Sequence, residues 1–136
     1  MANTVGRLME ASQQAKQEVE DILSGDYSNR DYLSEHVRKY VKARLELEDL
    51  PEEDLPVNRA CGISVAKTFD IDLDLLNEVD VPAGCTRATA VMTKRILLFM
   101  ALQDDLNFKF KAEDTPKIRT MGNLIDLVHR GLSSTR

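Results

Sequence analysis

A chain of 136 residues is long enough for one packed domain, and an apolar fraction of 43% is enough for an ordinary core. The net charge of -5 at pH 7 argues against nucleic-acid binding, which needs clustered Lys and Arg, and the absence of Trp argues against base stacking. No apolar run approaches membrane-spanning length and no signal-peptide pattern is present, so we expect a cytoplasmic protein with no membrane partner.

The N-terminal segment is predicted to be an amphipathic helix. Apolar residues recur at helical spacing over Ala2–Ser24, and Gly25 with the turn formers behind it ends the pattern. The apolar stripe needs a surface to cover it, either the rest of the bundle or a second copy of the chain. We therefore assign residues 1–30 to an N-terminal helical extension, residues 31–131 to a helical domain and residues 132–136 to a flexible tail.

The middle of the chain contains one clear helix and one ambiguous segment. The pattern predicts a helix over Asp31–Leu45, capped by Asn29 or by its own first residue, and then a proline-broken acidic loop at Leu47–Pro56. Over Ile63–Val79 the apolar residues occur at near-helical intervals, although Phe69–Leu75 also alternates as in a strand. A lone strand would need a pairing partner and none is evident, so we interpret the segment as helical.

Two more helices are predicted in the C-terminal half. The first begins at Thr86 or Thr89 and ends at Leu106. We expect one face of it to line the core: Met92, Ile96, Phe99, Leu102 and Leu106. Thr120 is then placed to cap a last helix over Met121–His129, and Gly131 ends the fold. Together these patterns predict an all-α fold.

Two blocks of the chain resemble acyl carrier proteins. Leu33–Asn58 is similar to helix I of that family and the loop after it. Leu97–Val128 is similar to the family's second half: Phe99–Leu106 matches the end of helix II and its acidic turn, and Ala112–Thr120 matches the helix III segment. The resemblance covers a little under half of the chain. It implies a four-helix carrier-protein-like bundle, here with an extra N-terminal helix and an inserted helical segment.

The resemblance fails at the family's functional motif. Acyl carrier proteins have Asp-Ser-Leu at the start of helix II, where the serine hydroxyl carries phosphopantetheine. The matching position here is Met92, so the resemblance implies a fold that is kept without the prosthetic group. Alternatively Ser64 carries phosphopantetheine, since it follows Gly62 by two residues and opens a predicted helix, although no Asp precedes it. A chance resemblance to another kind of helical bundle is the third interpretation.

Acidic residues mark where the resemblance places partner docking. In carrier-type domains, carboxylates near the end of helix II and in the next turn meet basic patches on partner enzymes. The corresponding residues are Asp104, Asp105, Glu113 and Asp114. Such charges steer and orient an encounter more than they add affinity. Ordinary solubilising charge would produce the same pattern.

Cysteine and histidine chemistry has weak support. Cys85 directly precedes a long helix, where a thiol can be activated, but a nucleophile also needs a base. His36 and His129 lie in different predicted helices with no local signature. Cys61 and Cys85 fit reduced thiols in a cytosolic protein, each more typically a small buried apolar group.

No metal site is expected. The two Cys and two His have no paired spacing, and Asp70, Asp72 and Asp74 lack the central Gly and terminal Glu of a calcium loop. We therefore expect a non-enzymatic, acyl-carrier-protein-like module that docks partner enzymes and lacks the usual phosphopantetheine serine. The alternatives are an atypical working carrier modified on Ser64, and a self-associating structural protein that forms a homodimer through Ala2–Ser24.

Overall fold

The secondary structure follows the helical periodicity of the sequence closely. The computed structural model describes residues 2–68 and 86–135, with side chains from 12–67 and 90–134. These ranges contain five α-helices and a short 3-10 helix: α1 Ala2–Ser24, α2 Arg30–Leu45, α3 Val57–Thr68, α4 Thr86–Leu106, the 3-10 helix Thr115–Lys117, and α5 Met121–Thr135. No strand lies within them. The all-α prediction is confirmed, while the carrier-protein-like arrangement stays a prediction.

Helix α1 lies along α2 and also contacts α4. Ala15 and Ile22 on its apolar stripe are fully buried, and Tyr32 of α2 donates a hydrogen bond of 2.7 Å to the Asp21 carbonyl. The described part of the α1 stripe is therefore covered by the chain itself. Self-association through Ala2–Ser24 stays a prediction; for the buried residues of this helix it would first require α1 to separate from α2.

Local capping sets the ends of α2. The Asn29 side chain accepts hydrogen bonds from the backbone N–H groups of Asp31 and Tyr32, which confirms Asn29 as the N-cap. At the other end Glu46 adopts the left-handed conformation with φ 53°, and its N–H bonds back to the last turn. The predicted loop then runs from this residue to the start of α3.

Backbone hydrogen bonds connect the start of α3 to the start of α5. The Val57 N–H donates to the Arg119 carbonyl at 2.8 Å, and the Met121 N–H donates to the Leu55 carbonyl at 2.9 Å. These bonds flank an isolated antiparallel bridge between Pro56 and Thr120. As a result, backbone hydrogen bonds hold together two loops that are far apart in sequence, and they form one junction between α3 and α5.

Helix α3 begins at Val57, so the predicted start at Ile63 is wrong. Its buried residues include Val57, Ala60, Cys61, Ser64 and Val65, which recur at helical spacing along one face. Ala60, Cys61 and Ser64 are small, so the apolar pattern at the start of the helix is weak. The continuation to Val79 and the alternative strand over Phe69–Leu75 lie outside the described residues.

Helix α5 continues to Thr135, past the predicted end at Gly131. Leu132 is buried at 1% exposure, so the prediction of a flexible tail over residues 132–136 is wrong for this residue and the helix around it. Gly131 allows close packing and does not end the helix, because a Cβ there would collide with the Phe108 ring. Thr120 caps the helix as predicted, with its Oγ1 accepting from the Asn123 N–H at 3.2 Å.

All five helices contribute buried side chains to one core, and α2 contacts α1, α3 and α5 while α4 packs against α3 and α1. The largest fully buried side chains of this core include Tyr40, Leu102, Leu106, Met121 and Ile125. None of the described helices combines the length and the apolar character needed to cross a bilayer.

Candidate docking surface on the fourth helix

Ser64, the predicted alternative attachment site, lies inside α3. It is 3% exposed and forms part of the buried face of the helix, so the expectation that it opens a helix is wrong. A phosphodiester on this hydroxyl would have to displace core side chains, and burying its charge there would be costly. Met92, at the position that matches the family serine, is by contrast 49% exposed near the beginning of α4.

Asp105, one of the four predicted docking carboxylates, is engaged within the bundle. Its Oδ2 accepts a hydrogen bond of 2.7 Å from the Tyr40 hydroxyl and one of 2.9 Å from Nη2 of Arg44. Burial, followed by this hydrogen bond, raises the pKa of Tyr40 above its usual value. Asp105 therefore connects α4 to α2 through these hydrogen bonds rather than facing a partner.

The remaining predicted docking carboxylates do not form a uniform exposed patch. The Asp114 side chain is 15% exposed and lies 3.9 Å from the Lys117 ammonium across the 3-10 helix. Asp104 and Glu113 are exposed. Asp104 and Asp105 diverge because successive residues in a helix point about 100° apart, which places one in solvent and the other against α2.

An apolar surface covers the outward side of α4. We call it the α4 apolar face; it consists of Met92, Ile96, Leu97 and Met100, which are 49–56% exposed. Three of them repeat every four residues and so lie along one line of the helix, with Leu97 beside them. The exposed large apolar side chains in the described parts of the chain are these four. A contiguous group of this kind is typical of a protein interaction site, whereas single exposed apolar residues are unremarkable.

The same observation corrects the predicted core face of α4. Phe99, Leu102 and Leu106 are buried as predicted, but Met92 and Ile96 are turned outward. The buried line is completed instead by Leu98 and, unexpectedly, by Arg95 at 9% exposure. Arg95 is spaced from Phe99, Leu102 and Leu106 as a core residue would be, and that spacing was the sequence signal for its burial.

Arg95 lies at the floor of a groove beside this face. The groove, here called the Arg95 groove, has a volume of about 550 Å³ and is lined by Asn58, Met92, Arg95, Ile96, Phe99 and Arg119 together with the 3-10 segment. It shares Met92 and Ile96 with the α4 apolar face, so the two form one continuous surface.

The Arg95 guanidinium joins three parts of the chain. It donates to Asn58 Oδ1 at 2.9 Å and to the carbonyls of Thr115 and Ile118, both at 2.8 Å. It also stacks 4.7 Å from the centroid of the Phe99 ring. All these partners are neutral, and burial lowers the pKa of Arg95. The positive charge is thus held in place without a carboxylate from the described residues.

A second groove has the opposite charge. It has a volume of about 530 Å³, and the loop after α2 lines it with carboxylates: Glu46, Glu48, Asp49, Glu52 and Asp54. We call it the acidic loop groove. Lys67 is the basic residue of its lining, and the Lys67 ammonium donates to the Glu46 carbonyl at 2.7 Å. The acidic character therefore concentrates on this loop rather than around the end of α4.

Both histidines have structural contacts. His36 Nδ1 lies 2.7 Å from Glu18 Oε2, and Asp21 also has a ligand atom within 4.8 Å of that pair. The pairing of His36 with Glu18 accounts for this cluster as a polar contact between α1 and α2. On α5, His129 Nε2 donates to the Ser28 carbonyl at 2.9 Å.

Cysteine reactivity differs from what a nucleophile needs. Cys61 is fully buried in α3, and burial raises the pKa of its thiol to about 11. A thiol with this pKa stays protonated near neutral pH and is a poor nucleophile. Cys85, together with Asp70, Asp72 and Asp74, lies outside the described residues.

Comparison with known proteins provides no relative. No protein-family model, no curated protein and no solved structure matches the chain.

Proposed function

We propose that this chain is a non-enzymatic docking module with an acyl-carrier-protein-like bundle, that it carries no phosphopantetheine, and that it meets partner proteins through the α4 apolar face. The observation that carries the proposal is the outward exposure of Met92, Ile96, Leu97 and Met100 on one helix. This helix corresponds to helix II of the acyl carrier proteins that the chain resembles. Apolar side chains kept in water cost free energy, and binding a partner recovers it.

The loss of the prosthetic group is supported at both candidate positions. Met92 has a thioether in place of a hydroxyl and so offers no oxygen for a phosphodiester bond. Ser64 is 3% exposed in the interior of α3, where a transferase has no access to it in the folded chain. The working-carrier alternative therefore requires α3 to open before modification.

The acidic loop groove supports a second contact with partners that have basic surfaces, such as acyl-transfer enzymes. Five acidic residues line this groove, whereas the Asp105 carboxylate accepts hydrogen bonds from Tyr40 and Arg44. Charges on a loop rim contribute mainly to orientation and association rate. In the proposed arrangement, the loop steers the partner while α4 supplies the apolar contact.

Incubation with coenzyme A and a phosphopantetheinyl transferase is expected to leave the intact mass of the protein unchanged. The reason is the absence of an exposed serine at the start of α4 and the burial of Ser64. Intact-mass spectrometry measures the outcome, with a true acyl carrier protein as the positive control. A phosphopantetheine-sized gain that disappears in Ser64→Ala would overturn this part of the proposal.

A photo-crosslinking residue placed at Leu97 is expected to trap discrete protein adducts in the cells from which the protein comes. The matched control position is Glu20, an exposed residue of α1 outside the α4 apolar face. Ile96→Glu should remove the Leu97 adducts, because a carboxylate in the centre of the face disfavours apolar contact. Circular dichroism confirms that each variant folds. Identical adduct patterns at Leu97 and Glu20 would contradict docking through α4.

A further inference from the structure

We propose that the Arg95 groove binds a carboxylate-bearing apolar segment of a partner protein, in which Asp or Glu residues flank the apolar side chains. The inference rests on the proposed docking function and adds the chemical class of the partner. The Arg95 groove would therefore select acidic partners, whereas acidic docking patches would select basic ones.

The charge of the groove differs from that of the chain as a whole. Among the residues that the structure describes, its lining includes Arg95 and Arg119 and no Asp or Glu, although the net charge of the protein is -5. Low-dielectric walls from Phe99 and Ile96 strengthen the field of these cations inside the groove. A basic segment would be repelled here, while a carboxylate would be attracted and oriented.

Arg95 is positioned to meet an anion. Its hydrogen bonds to Asn58, Thr115 and Ile118 fix the guanidinium but leave part of its donor capacity unused, since a guanidinium has about five N–H donors. No described carboxylate neutralises the charge, in contrast to Arg44, which pairs with Asp105 at 2.9 Å. A partner carboxylate would supply a charge-assisted hydrogen bond at a site that is already rigid.

Arg119 provides the second cation at the rim. It is exposed, and its backbone rather than its side chain makes the local contacts: its N–H donates to Asn123 Oδ1 at 3.1 Å and its carbonyl accepts from Val57. Its guanidinium is therefore available to a carboxylate, and it can be replaced without cutting the junction between α3 and α5.

The apolar requirement comes from the neighbouring α4 apolar face. Met92 and Ile96 line the groove and are each about half exposed. Methionine is flexible and polarisable, so Met92 and Met100 can adapt to different apolar side chains. A free small anion would leave this apolar surface wet, whereas an amphipathic protein segment covers it.

A second copy of the chain is a poorer occupant. A two-fold symmetric contact centred on Ile96 brings the same patch of both copies together. Arg95 of each copy would then lie near Arg95 of the other, and none of the described lining residues supplies a carboxylate to offset that repulsion. Charge complementarity therefore favours an acidic partner segment over self-association.

Titration of the full-length protein with short synthetic amphipathic peptides tests the proposal. The peptides share one apolar face and differ only in flanking residues: Glu, Gln or Lys. Backbone amide chemical shifts in NMR spectra report binding. We expect the Glu peptide to change the amide chemical shifts of Met92, Ile96 and Arg119. The Gln peptide should bind about tenfold more weakly, which corresponds to one lost charge-assisted contact. The Lys peptide should bind more weakly still.

Two variants separate groove charge from overall charge. Arg119→Gln should weaken the affinity for the Glu peptide by about threefold to tenfold, as expected for a partly exposed ion pair. Arg130→Gln changes the net charge equally at an exposed site on α5 and should leave the affinity unchanged. A higher salt concentration should weaken binding of the Glu peptide and leave binding of the Gln peptide nearly unchanged.

The outcomes distinguish the two proposals. If Glu and Gln peptides bind equally well to the α4 apolar face, the carboxylate inference is overturned while docking through α4 stands. If no peptide binds and Leu97 traps no partner, docking itself fails. Concentration-dependent dimerisation in light scattering, lost in Ile96→Glu, would instead assign the groove to a second copy. Peptide binding that appears only after residues 69–85 are replaced by a Gly-Ser linker would assign it to the chain's own segment.

Discussion

Replacing Arg95 with methionine is expected to lower the free energy of unfolding by about 3 kcal/mol, although a surface arginine on a helix would tolerate the change. The guanidinium satisfies the Asn58 side chain and the carbonyls of Thr115 and Ile118. Methionine fills similar volume but offers no donor, so these oxygens lose a charged partner. The gain from no longer burying a charge offsets part of the loss, which limits the net effect.

Urea unfolding followed by circular dichroism measures this effect. Lys94→Met is the matched control, because it removes one positive charge from the adjacent, partly exposed position and should change stability by less than about 0.5 kcal/mol. Arg95→Lys should fall between the two, since an ammonium retains the charge but cannot span three acceptors. Equal stability of Arg95→Met and Lys94→Met would show that Arg95 does not hold the 3-10 segment to α4.

Asp105→Ala is expected to destabilise the protein by about 2 kcal/mol. The carboxylate accepts hydrogen bonds from Tyr40 and Arg44, and its removal leaves the buried tyrosine hydroxyl without that acceptor. The side chains of Asp105 and Arg44 are 31% and 34% exposed, so water takes over part of the lost interaction and keeps the cost below that of a fully buried pair.

The neighbouring residue supplies the control for this prediction. Asp104→Ala removes the same charge from an exposed position and should stay within about 0.5 kcal/mol of the parent protein. Thermal and urea unfolding of both variants compare them directly. If Asp104→Ala proved as destabilising as Asp105→Ala, the loss of stability would reflect net charge. The contact of Asp105 with Tyr40 would then not be what holds α4 to α2.

These two variants also separate stability from docking. Arg95 and Asp105 are charged residues of α4, yet each makes a contact between segments that are distant in sequence. The residues proposed to meet partners, Leu97 and Arg119, are exposed and make few side-chain contacts. Changes at Leu97 and Arg119 should therefore alter binding with little effect on unfolding.

The helices were largely predictable because their causes are local. The apolar periodicity over Ala2–Ser24, the Asn29 cap and the Thr120 cap each depend on residues within a turn or two of one another. The prediction failed for α3 because Ala60, Cys61 and Ser64 on its buried face are small and give only a weak apolar pattern. It failed at Gly131 because only the position of Phe108 makes a glycine necessary within the helix.

The sequence by itself determined that this chain is all-α, where most helices begin and end, and that Met92 replaces the serine of the family it resembles. Periodicity and capping are properties of neighbouring residues, so no tertiary information was needed. Only the tertiary structure decided which side of α4 is buried. The rotation of that helix depends on what α2, α3 and the 3-10 segment place against it, and this turns Arg95 inward, fastens Asp105 to Tyr40 and leaves Ile96 and Leu97 facing outward.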